Sequence, residues 1–95
     1  MDAPKYKRGD VVRFILSGKD GAEKIEKVGT IEIVDHRGSI EWLDECPSYD
    51  IMGVIGEEDA HVFASARKEW EEGYPIGGEC LYKHIPEFEV RGLAE

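Results

Sequence analysis

The stretch VGTIEIVDHRGSIEWL, Val28 to Leu43, decides the fold class. In its first half Ile31 and Ile33 share one face of an extended chain and Thr30, Glu32 and Val34 take the other. That period of two marks a half-buried strand. Asp35-His36-Arg37-Gly38 then reads as a tight hairpin turn, with Gly38 suited to positive φ. Ser39 to Leu43 reads as the returning strand, pointing Ile40 and Trp42 the same way.

The same alternation extends outward. Upstream, Asp10 to Leu16 sets Val12, Phe14 and Leu16 on one face and Val11, Arg13 and Ile15 on the other. Ser17 to Gly21 has turn chemistry, and Ala22 to Lys27 either lengthens that loop or forms the foot of the next strand. Downstream, Ser48 to Val54 gives a strand with Tyr49 and Ile51 on one face and Asp50 on the other, and Leu81 to Ile85 gives another. Pro86-Glu87-Phe88 reads as a 3₁₀ turn, because proline fixes φ and opens helical turns well. Glu89 to Arg91 makes a last short strand. Between residues 56 and 78 the period changes. Ala60, Phe63, Ala66 or Arg67, and Trp70 fall at helical spacing behind an acidic lead, which predicts an inserted helix from about Asp59 to Glu72.

Residues 1–95 thus read as a single mainly-β domain. Short strands at close spacing and a strand–3₁₀–strand ending favour a small barrel, since closing a sheet removes exposed edges. The predicted core positions are Phe14, Ile31, Ile33 and Leu81.

Four segments carry a resemblance: KYKRGDVVRF (Lys5 to Phe14), GTIEIVD (Gly29 to Asp35), SYDI (Ser48 to Ile51) and LYKHIPE (Leu81 to Glu87). Together they resemble small SH3-like barrel proteins encoded by bacteriophages and bacterial mobile elements, including integron gene cassettes, mostly of unknown function. The resemblance implies an SH3-like β-barrel of five to six strands with one inserted α-helix and a 3₁₀ turn before the last strand. It also implies a mobile-element setting, and it implies no catalytic residue.

Charge narrows the function classes. The chain has 95 residues and a formal net charge of −9. A protein that grips nucleic acid by its phosphates needs a basic surface, and the one basic cluster is Lys5, Lys7 and Arg8. Nucleic acid is therefore not the expected partner. No apolar run approaches the roughly 20 residues that cross a bilayer, and no signal peptide opens the chain, so the expected location is the cytoplasm. Cys46 and Cys80 are accordingly expected to be reduced. With His36, His61 and His84 they show none of the close spacings of a metal site, so neither a metal nor a cofactor is expected. No nucleophile elbow or phosphate loop is present in the sequence.

The candidate binding residues are Asp50, Tyr82 and His84. Tyr82 and His84 project from the face opposite Leu81 and Ile85, so they are expected at the surface, with Asp50 similarly outward on its own strand. A tyrosine brings large contact area at low entropic cost, and a histidine beside an aspartate makes a contact pH-sensitive. The expectation is a non-enzymatic protein or peptide interaction module with an unknown protein partner, and a homo-oligomer is compatible with it. The alternatives are a KOW-like nucleic-acid-binding barrel, an acidic nucleic-acid mimic built on Asp44-Glu45, Glu57 to Asp59 and Glu69 to Glu72, and a small enzyme.

Overall fold

A computed structural model describes residues 3–17, 24–62 and 76–94. Five antiparallel strands form one sheet: β1 (Val11–Ser17), β2 (Lys24–Asp35), β3 (Ser48–Val54), β4 (Glu79–Pro86) and β5 (Val90–Leu93). Their spatial order is β4-β3-β2-β1-β5. A helix, α1 (Glu57–Val62 among the described residues), follows β3, and a 3₁₀ turn at Glu87–Glu89 separates β4 from β5. The mainly-β reading holds, as does the 3₁₀ turn before the last strand. Most of the helix expected over residues 59–72 lies outside the described residues.

The connection between β4 and β5 dictates the shape. In a flat five-stranded sheet these opposite edges would lie about 19 Å apart, four spacings of about 4.8 Å. A three-residue 3₁₀ turn advances only about 2 Å per residue, so the sheet has to curl. The packing agrees: Phe14 on β1 and Tyr82 on β4, three strands apart in the order, bring their ring centroids to 5.7 Å. The edges do not pair, and among the described residues the sheet stays open.

Inside the curl lie Val12, Phe14, Leu16, Ile31, Tyr49, Ile51, Ile55, Cys80, Tyr82, Ile85 and Val90. Gly29 and Gly53 face one another in register on this inner side. A Cβ on Gly53 would stand 3.1 Å from the Tyr82 ring, and one on Gly29 would stand 2.5 Å from the Met52 carbonyl oxygen. Bare Gly53 leaves room for the Tyr82 ring, and bare Gly29 lets β2 approach β3 closely.

Two expectations about phase are overturned by β-bulges. Ile31 pairs with Ile51 but Ile33 pairs with Asp50, so Glu32 is an extra residue in β2. A bulge flips every side chain beyond it. Ile31 is fully buried, Ile33 is 51% exposed, and Val34 packs on the core in its place. On the other flank of Asp50, Tyr49 pairs with Ile85 and Ile51 with Tyr82, which leaves Lys83-His84 opposite Asp50 alone. Leu81, expected inside, is therefore half-buried on the outer side, and Tyr82 faces the core.

The expected returning strand at Ser39 to Leu43 is also absent. Asp35 to Gly38 does close a turn, the Gly38 N–H donating to the Asp35 carbonyl at 3.2 Å, but Ile40–Trp42 form a 3₁₀ turn and β3 is the next strand. Gly38 has φ +80°, and a Cβ there would lie 2.1 Å from the Cys46 carbonyl oxygen and 2.4 Å from that of Trp42. The connection is folded back onto the glycine and has no room to pair as a strand.

These assignments predict unequal costs for two similar isoleucines. Ile31→Ala should lower unfolding free energy by about 2–5 kcal/mol, and Ile33→Ala by about 0.5 kcal/mol or less. Urea denaturation of the two variants checks this, and equal losses would refute the bulge at Glu32.

Candidate functional site

Two polar clusters stand out from this frame. The first is buried. Lys27 belongs to the inward set of β2 with Ile25, Gly29 and Ile31, opposite Phe14. Its side chain is only 4% exposed, and its ammonium needs a counter-charge. Helix α1 supplies it: Lys27 Nζ donates to Asp59 Oδ1 at 2.7 Å and to Glu58 Oε1 at 3.2 Å. Asp59, itself fully buried, accepts from the Gly56 N–H at 3.2 Å and from the Tyr82 hydroxyl. Lys27 Nζ also sits 5.4 Å from the centroid of the Tyr82 ring.

The titration behaviour of this cluster follows from burial and from its hydrogen bonds. Desolvation, then the hydrogen bond to Asp59, hold the Tyr82 phenol well above its ordinary value of 10.0. Desolvation, then the Asp59 carboxylate, push the Cys80 thiol up. Glu58, at the mouth, is held below its usual range by its own backbone amide and by Lys27. Lys27 falls in the segment expected as a loop or strand foot, and its parity with Ile25 and Ile31 is the signal that marks it as inward.

The second cluster is at the surface, around the bulges. His84 has φ +61°, and its backbone N–H donates to Asp50 Oδ1 at 3.0 Å. Its ring Nδ1 lies 2.9 Å from Ser39 Oγ, which in turn lies 2.8 Å from the Oγ of buried Ser48. Of the predicted trio, then, Asp50 and His84 come together and Tyr82 does not. The Lys83-His84 bulge puts Tyr82 through the sheet, where its hydroxyl serves the buried cluster.

Ser39 and His84 are within the reach of a nucleophile and its base, yet the carboxylate is spent on the His84 main chain and not on its ring. A triad needs the third group on the imidazole. The contacts instead pin the connection between β2 and β3 to the bulge of β4.

Around this pin the surface is apolar. Ile40 is 70% exposed, Leu43 54% and Phe88 51%, and Ile33 stands beside Asp50 in register. Trp42, half-buried, meets Phe88 edge-to-face with centroids 4.8 Å apart. Ile40 has φ +51° and Asp44 φ +62°. A β-branched residue in that region is strained by about 1–3 kcal/mol. All three positive-φ non-glycine residues among those described, Ile40, Asp44 and His84, belong to this one area. No family model, curated protein sequence or solved structure matches the chain.

A third tyrosine contact ties in the N-terminal segment. The Tyr49 hydroxyl donates to Glu87 Oε2 at 2.6 Å and accepts from the Tyr6 N–H at 3.3 Å, while the Lys5 N–H donates to the same Glu87 oxygen at 3.0 Å. Desolvation, then the bond to Glu87, raise the Tyr49 phenol as well.

The buried ion pair predicts a specific non-additivity. Lys27→Met, which strands the Asp59 carboxylate, should cost about 3–5 kcal/mol. Adding Asp59→Leu should recover more than half of it, as measured by chemical denaturation, and additive losses would contradict the pairing.

The raised phenols predict an alkaline limit. A group with a raised folded pKa gives stability that is complete below its unfolded value, here 10.0, and is lost as pH rises toward the folded values. Phenolate absorbance from Tyr49 and Tyr82 should therefore appear only as the far-UV circular dichroism collapses, above pH 10. Ionisation of all phenols near pH 10 with the sheet intact would be the contrary result.

Proposed function

We propose that this chain is a small SH3-like barrel that works as a non-enzymatic protein-interaction module. Its contact face is the one built by the β2–β3 connection, the β4 bulge and the 3₁₀ turn at Glu87–Glu89. The fold part of the reading is supported by the strand order, in which a β-meander of four strands is completed by β5 pairing back onto β1 after a 3₁₀ turn. Curling forced by that turn gives a partly open barrel.

The observation that carries the functional part is the exposure of Ile33, Ile40, Leu43 and Phe88 around a fixed polar centre. Apolar residues scattered singly over a surface need no explanation, whereas contiguous apolar patches mark interaction sites. These are linked through the polar centre and along the chain: Ile33 is beside Asp50, Asp50 holds His84, His84 holds Ser39, Ile40 follows Ser39, and Trp42, between Ile40 and Leu43, meets Phe88. The backbone under the patch is pinned by hydrogen bonds, so little ordering cost remains to be met on binding.

Selection of random dodecapeptides displayed on phage tests the face. The wild-type protein should enrich a consensus, and Ile40→Glu/Leu43→Glu, with an unchanged melting temperature, should not. Absence of any consensus, or the same consensus on the variant, defeats the reading.

A further inference from the structure

Resting on that reading of the face, we infer that its partner is a cationic, apolar segment of another protein, with Lys or Arg side chains flanking an aliphatic or aromatic anchor. The inference starts from charge. Between Glu32 and Asp50 the chain carries six acidic residues, Glu32, Asp35, Glu41, Asp44, Glu45 and Asp50, and a single arginine, Arg37. That arginine is already engaged: its Nε and one terminal nitrogen reach the two carboxylate oxygens of Asp44 at 2.9 and 3.1 Å. A bidentate pair of this kind cancels both charges locally. Asp35, two residues from Ile33, and Glu45, two residues from Leu43, are exposed, and half-buried Asp50 pairs with Ile33 in register; against these acidic groups stands one lysine, exposed Lys83 in the bulge opposite Asp50.

This arrangement discriminates among occupants. A second copy meeting the first through this same face would bring like charge against like. Nucleic acid and anionic membrane surfaces meet the same repulsion. An acidic or neutral apolar peptide would gain the apolar contacts but none of the charge pairing. A cationic segment gains both: its apolar side chain meets Ile40, Leu43 and the Trp42–Phe88 pair, and its basic groups meet Asp35, Glu45 and Asp50. The apolar anchor supplies affinity, and the charges supply selectivity and encounter rate.

Asp50 is the group best placed to set register. It sits between the two bulges, its Oδ1 fixed by the His84 amide, at the boundary between Ile33 and the Ser39–His84 contact. A cation meeting a carboxylate held in this way finds it already oriented.

Three synthetic nonapeptides distinguish the outcomes: one alternating leucine with lysine, one leucine with glutamate, and one serine with lysine. Binding is followed by amide chemical-shift changes of the full-length protein at low and at physiological salt. The Leu/Lys peptide should bind, shift Ile33, Ile40, Trp42, Leu43 and His84, and weaken at least several-fold as salt rises. The Leu/Glu and Ser/Lys peptides should bind at least tenfold more weakly. Asp50→Asn, chosen because it keeps an acceptor for the His84 amide, should weaken the Leu/Lys peptide while leaving the melting temperature within a few degrees. Equal binding of the Leu/Glu peptide at the same residues overturns the cationic inference and leaves the interaction face standing. Equal binding of the Ser/Lys peptide shows diffuse electrostatics and overturns it too. Shifts confined to other residues, or none with any peptide, overturn it together with the face.

Discussion

Three residues of 3₁₀ helix join strands that lie on opposite edges of one sheet, and a flat sheet cannot accommodate that link. The curl it imposes accounts for much of what surrounds it. Phe14 and Tyr82 meet across the interior because their strands are bent toward each other. Bare Gly53 gives the tyrosine ring its place against β3. Bulges in β2 and β4, flanking Asp50 on either side, are the devices by which antiparallel ladders gain local twist and bend. The surface cluster is thus a by-product of curvature: without the bulge at Lys83-His84, His84 would not reach Ser39.

The buried Lys27–Asp59 pair has a different role. Apolar contacts alone would let α1 settle against the sheet in several orientations. A buried ammonium that needs a counter-charge, and a carboxylate that also takes the Gly56 amide and the Tyr82 hydroxyl, favour the arrangement in which all of these groups are met. Such pairs add little net stability over a well-packed apolar substitute. Their effect here is to fix where α1 begins and how it sits against β2 and β4.

Much of the fold was legible in the chain because alternation survives wherever a strand is regular. Val12, Phe14 and Leu16 on β1, and Tyr49 and Ile51 on β3, fall inside as their spacing requires. The misplaced faces share one physical origin. Ile33 and Tyr82 were assigned to the wrong side because each lies across a single inserted residue from its nearest reference position, and no residue type announces a bulge at Glu32 or at Lys83-His84. The same slip split the candidate site, keeping Asp50 with His84 and sending Tyr82 to the core. Ser39 to Leu43 failed for another reason: its composition suits a strand, but Gly38 draws the following segment back onto itself. Lys27 was overlooked because a charge on an inward parity is usually read as the end of a strand, and its partner Asp59 lies 32 residues further along.

The ladder between β1 and β5 has a kinetic side. Hairpin β1–β2 closes within a short stretch of chain, whereas β5 reaches β1 only after nearly the whole sequence has been gathered. Loop-closure entropy grows slowly with length, but it must be met before the contact returns anything. Topologies that depend on such distant pairings fold in milliseconds to seconds, slower than helical bundles of the same size. Until β5 docks, β1 is an edge strand whose unpaired amides and carbonyls stand open to any extended chain nearby. The segment Val90–Leu93, four residues long, therefore acts as a guard on the growing sheet as well as a member of the finished one.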